Sequence, residues 1–181
     1  LLDLGGYGER FFILFEDLDL SVRLRQAGHT LLAVEDAIVR HDAGTPGVSF
    51  REGRDYPAQR VFYHSRNRWL FLLKTYRWWT LLVCLPGLAL YEVVWLGFAV
   101  SKGGLGAWLR GKWSVFIGMP ETLRMRREVQ ARRQLGDRAL LVGGPLTVTP
   151  ALQQGGLGAR LVGLVDALLR GVWVLVRPLV R

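Results

Sequence analysis

The residues with the most chemical potential lie in the stretch RFFILFEDLDLSVRLRQAGH, where Glu16, Asp17 and Asp19 follow directly on five apolar residues, Phe11 to Phe15. A solvated acidic turn is not usually bracketed by Phe and Leu, so one carboxylate is expected to face a partly dry cleft. Lost hydration raises a carboxyl pKa and makes the carboxylate a better base, able to take a proton from a hydroxyl. On a helix Asp17 stands three residues before Leu20 and seven before Leu24, so it leans toward the apolar face. Asp19 points elsewhere and has Arg23 as an i, i+4 partner. The spacing predicts Asp17 inside and Asp19 at the surface. A plainer reading stays open: acids in the first turn cap the helix and do no chemistry. His41 is the second candidate, an imidazole that ends an apolar strand beside the loop DAGTPG. Sites in α/β proteins collect at strand ends, although the neighbouring Asp42 allows a purely structural ion pair. His29 and His64 are weaker candidates, the first beside a helix-ending glycine and the second within a basic helix.

The elements that must hold these residues are readable in outline. Glu16 to Ala27 is a helix with Leu20, Leu24 and Ala27 on one face, and Gly28 suits the left-handed position that ends it. HTLLAV reads as a short buried strand and AIVRH as a second extended segment, which predicts an α/β fold. LGGYGER is a glycine-rich turn, and Pro57 to Tyr76 turns helical, with Arg66, Arg68 and Lys74 among aromatics.

Composition limits the classes of function. Net charge is +9 and the isoelectric point about 10.6, which suggests an anionic partner: nucleic acid, lipid headgroups or a phosphorylated substrate. Half of the 181 residues are hydrophobic, and mean hydropathy is +0.20. The single cysteine, Cys84, excludes an intrachain disulfide framework and a cysteine-based zinc cluster. No signal-peptide pattern is present, and the chain opens on Leu in the middle of a pattern, as the C-terminal part of something longer would. Four zones follow: 1–77 with the candidate site, 78–100 apolar, 101–136 basic and aromatic, and 137–181 a Gly/Pro connector with an amphipathic helix. From Thr80 to Val100 there are 21 residues with one charge, Glu92. They admit a membrane-spanning helix, a re-entrant or interfacial hairpin bent at Pro86-Gly87, or a buried helix. Because the basic run Tyr63 to Arg77 leads into this segment, lipid phosphates are favoured over nucleic acid as its partner.

GGYGERFFILFEDLDLSVRLRQAGHTLLAVEDAIVRH, then a glycine-containing loop and YHSRNRWLFLLKTY, resembles the C-terminal half of the catalytic domain of bacterial family 2 glycosyltransferases, the rhamnosyl- and galactofuranosyl-type branch. The resemblance covers about Leu1 to Tyr76. It implies a GT-A fold, an α/β nucleotide-sugar-binding sandwich, and inverting transfer to a hydroxyl of a lipid-linked or glycan acceptor. It implies Asp17, with Glu16, as the catalytic base and His41 as a ligand of a divalent metal, Mg²⁺ or Mn²⁺. Glu9 and Arg10 match the pair bordering the acceptor, and Arg66-Asn67 match an Arg-Asn pair expected to touch acceptor or phosphate. The family's N-terminal nucleotide-binding half, which carries its Asp-x-Asp metal motif, does not occur here, so this chain alone is expected to be inactive. The resemblance also implies a place on the cytoplasmic face of the bacterial inner membrane. The alternative is a non-catalytic, basic membrane-anchoring or assembly module.

Overall fold

The computed structural model describes residues 4–39, 48, 56–146 and 156–181. Eight helices are found among them: α1 (Glu16–Gln26), α2 (Ala58–Thr75), α3 (Trp78–Val83), α4 (Leu85–Ser101), α5 (Leu105–Ile117), α6 (Met119–Ala131), α7 (Asp137–Leu140) and α8 (Gly156–Val176). Short 3₁₀ turns occupy Glu9–Phe11 and Arg177–Leu179.

The expected α/β sandwich of GT-A type is not what the chain forms. Among the described residues there is no strand and no sheet. HTLLAV lies in an extended, wholly exposed stretch whose apolar side chains, such as Leu32 and Val34, face solvent. The reason is cooperative: a strand is stable only when a neighbour accepts its ladder hydrogen bonds, and an apolar run cannot supply that neighbour. The second extended segment runs beyond the described residues at its end, as does His41.

The centre of the molecule is α2, which packs against α1, α5 and α6. Pro57 precedes its first residue, and the helix closes at Thr75. Its two ends serve different apolar clusters. Leu70 and Phe71 join Phe11 and Tyr76, with Val22 and Met125 packed against them. Val61 joins Trp95, Ala99 and Ala107, with Tyr91 and Trp108 around them. The contact between α2 and α5 is unusually close. A Cβ on Gly111 would lie 2.9 Å from the Phe62 carbonyl oxygen and 3.0 Å from Ser65 Cβ, so only glycine fits there.

The apolar zone 78–100 is split at Cys84 into α3 and the 17-residue α4, with Pro86 in the first turn of α4. Proline has no N–H to continue a helix but suits its opening, so the sequence restarts there. No helix among the described residues is long and apolar enough to cross a membrane. Helix α6 ends at Ala131, and Gly136 precedes the short α7. The apolar stripe expected on α8 divides in two. Leu169 and Val172 approach Gly87 of α4, at 3.9 and 3.4 Å from the position a Cβ would take, while Leu161, Leu164 and Leu168 remain exposed.

Candidate functional site

The loop that delivers the acids to α1 is held in a conformation most side chains avoid. Phe12, Leu14 and Phe15 have φ of 61°, 66° and 72°, the left-handed region where a Cβ is unfavourable. Such a backbone persists only when surroundings over-determine it, and here a single residue of α2 does most of that. The Asn67 side-chain amide donates to the carbonyls of Phe11, Ile13 and Leu14 at 2.8, 2.7 and 2.9 Å. Arg66 adds Nη2 bonds to the carbonyls of Arg10 and Phe11, at 2.6 and 3.2 Å, and donates from Nε to Asn67 Oδ1 at 2.8 Å. Arg10 in turn reaches α6, donating to the Gly118 carbonyl at 3.1 Å and Thr122 Oγ1 at 3.0 Å and pairing with Glu121 at 3.3 Å. The Arg66-Asn67 pair therefore fixes the route of the chain into α1. Asn67 is fully buried, with its amide committed to that loop.

The two acids take the opposite sides from those that spacing predicts. Asp19 is completely buried, ion-paired to Arg23 at 2.8 Å and to Lys74 of α2. Arg23 also donates to the carbonyls of Leu4 and Gly6, at 2.5 and 2.6 Å, and so pins the glycine-rich turn. Burial lowers the Lys74 pKa, while Asp19 pulls it back up. Asp17 is exposed and has no hydrogen-bond or ion-pair partner among the described residues, and Glu16 is half-buried. The i, i+4 pairing of Asp19 with Arg23 was correctly spaced, but the pair turns inward because Lys74 waits there. No side chain caps the start of α1, so the acids meet the helix dipole without a capping bond. Glu9 is exposed at the opening of the 3₁₀ turn.

Sequence reasoning missed a second charged centre, on the apolar helix α4. Glu92 accepts from Arg68 Nη1 at 2.9 Å, Trp69 Nε1 at 2.7 Å and Trp108 Nε1 at 3.3 Å, and it pairs with Lys112. Burial pushes its carboxyl up, but Lys112, Trp69 and Arg68 outweigh that and hold it below the ordinary range. A lone acid in an apolar run signalled a need for partners, although not which ones. Beside it, His64 lies 4.0 Å from the Trp95 ring centroid and contacts Tyr91. Burial first, then Arg68 and Arg60, push its pKa down to about 4.

A cleft of about 310 Å³ opens under the glycine-rich turn, between α1, α2 and α6, with Arg23, Gln26, Lys74, Glu128 and Arg132 on its walls. Neither Glu16 nor Asp17 lines it. Asp19 pairs with two of its cations, Arg23 and Lys74, and Glu128 adds a second acid on its walls, so most of its positive charge is already offset. No group of three His, Cys, Asp or Glu suited to a metal ion occurs among the described residues, and His41 lies outside them. Among the described side chains, then, no divalent-metal site is formed.

The likeness found among known proteins is to a sugar transferase. Two N-acetylglucosaminyl-diphospho-decaprenol L-rhamnosyltransferases of Mycobacterium tuberculosis, from strains CDC 1551 / Oshkosh and ATCC 25618 / H37Rv, are each 36% identical to this chain over 76 residues. That stretch is 41% of this chain and 23% of either relative, so the match spans under a quarter of their length. No protein-family model matches the chain, and no solved structure matches it.

Proposed function

We propose that the protein serves in transfer of a sugar from a nucleotide-sugar donor to a hydroxyl of a lipid-linked or glycan acceptor. The observation that carries this reading is the 36% identity to the rhamnosyltransferases. Their name gives the acceptor as a sugar carried on diphospho-decaprenol, which supports a lipid-linked acceptor here. In this reading Asp17 accepts the acceptor's hydroxyl proton. The acceptor oxygen then forms a bond to the anomeric carbon as the bond from that carbon to the nucleoside diphosphate breaks. The geometry supports Asp17 for that role over its neighbour. Asp19 is buried and paired with two cations, whereas Asp17 is exposed and without a partner among the described residues, at the head of a rigidly clamped helix. Glu9, exposed on the preceding turn, is assigned to the acceptor in this proposal. Arg10, Arg66 and Asn67 act by holding the loop. Association with the cytoplasmic face of a bacterial inner membrane, and use of Mg²⁺ or Mn²⁺, belong to the same proposal.

The test is transfer from a panel of nucleotide sugars by the full-length protein in membranes, with and without each metal. Asp17→Asn should abolish turnover while donor binding and thermal stability survive. An active Asp17→Asn variant, or a wild type that turns over no donor, overturns the assignment. The second reading, a membrane-anchoring module without catalysis, draws on the exposed apolar side chains of α5.

A further inference from the structure

Helix α5 is built inside out by the standard of a surface helix. Its small residues, Ala107 and Gly111, together with Val115, are buried on the side that meets α2. Its large apolar residues face the other way: Leu105, Leu109, Trp113, Phe116 and Ile117 are 45 to 66% exposed. At 3.6 residues per turn these five fall within an arc of about 120°, opposite the buried three. Trp113 and Phe116 stack on each other with ring centroids 5.4 Å apart within this stripe. Close packing through glycine leaves the inner face full, and the outer face therefore cannot turn inward.

We propose that this stripe of α5 is the membrane-contact face of the protein, lying in the headgroup layer of an anionic lipid bilayer with the helix axis along the surface. The inference rests on the membrane part of the function proposed above and not on sugar transfer. Charge identifies the occupant. There is no acid on α5, and its border carries exposed Arg110, with Lys102 just before it, neither of them paired among the described residues. A second copy of this chain would bring the same cations against them, and the whole chain carries +9. An anionic lipid surface instead accepts the apolar stripe and neutralises the rim together, with Trp113 at the headgroup depth that tryptophan favours. Lys112 is not part of this rim, since Glu92 holds it on the inner side. The acid that would burden a membrane helix is thereby kept out of the lipid, on α4 among its partners.

Co-sedimentation of the purified protein with phosphatidylcholine vesicles, with and without phosphatidylglycerol, tests this without donor or acceptor present. Wild type should bind much more tightly when phosphatidylglycerol is included. The L109S/F116S pair should raise the lipid concentration for half-binding by at least about tenfold, with an unchanged circular dichroism spectrum, because both side chains are exposed. K102E/R110E should remove the preference for anionic lipid. L164S/L168S, on the exposed face of α8, should bind like wild type. Equal binding to both lipids overturns the proposal, as does loss of binding in the α8 variant alone. So does a protein that ignores vesicles and runs as a dimer dispersed by L109S/F116S. Failure of sugar transfer would leave all of these readouts untouched.

Discussion

Asp19→Asn is the most informative perturbation of the fold. Asp19 is wholly buried, and its carboxylate is the counter-charge of two cations that are themselves almost buried, Arg23 and Lys74. The substitution keeps the shape and removes the charge, which leaves two cations facing each other in a poorly hydrated site. Breaking a buried ion pair by removing one partner costs about 3–5 kcal/mol, against about 0–1 kcal/mol for an exposed pair. The upper part of the first range is expected, because Arg23 also tethers the turn at Leu4 and Gly6. Urea denaturation followed by far-UV circular dichroism would read the loss as a lower midpoint at an unchanged slope. Two controls sharpen it. Asp17→Asn, at an exposed carboxylate with no partner among the described residues, should leave the midpoint where it is. Adding Lys74→Met to Asp19→Asn should recover part of the loss, since the uncompensated cation is gone. The penalty should also shrink at alkaline pH. Burial already lowers the Lys74 pKa, and without Asp19 nothing opposes that, so the amine sheds its proton more readily. A loss below about 1 kcal/mol, the size of an exposed pair, would refute the buried-cluster reasoning.

Two further predictions concern neighbouring parts of the core. His64 has an ordinary pKa of 6.5 and a folded one of about 4, so between those values the unfolded chain binds more protons. Stability should therefore be fully present above pH 6.5, fall as pH drops and level off below about 4, by up to roughly 3 kcal/mol, and His64→Phe should flatten that limb of a pH–midpoint curve. Gly111→Ala gains about 1 kcal/mol of helix propensity but forces a methyl against the Phe62 carbonyl, an overpacking of about 1–3 kcal/mol. A net loss in thermal melting is expected, and a more stable variant would show that α5 can move off α2.

The local features of this protein were written in its sequence. The end of α1, the helical run of α2, the restart at Pro86 and the i, i+4 spacing of Asp19 with Arg23 all follow from interactions within a few residues. The likeness to sugar transferases was also legible, from the order of motifs between Gly5 and Tyr76. What the sequence could not decide is which face of each element would find a partner. HTLLAV has the composition of a strand, yet among the described residues nothing pairs with it, and ladder hydrogen bonds come only from a neighbour. Asp17 and Asp19 are two residues apart on one helix, and only Lys74, some 55 positions away along the chain, determines that Asp19 is the one buried. Glu92 became tolerable when α2 and α5 brought it Arg68 and Lys112. The apolar stripe of α5 faces outward because Gly111 admits α2 on the other side. In each case propensity acts over a few residues, whereas burial and charge neutralisation depend on surfaces that only the folded chain brings together.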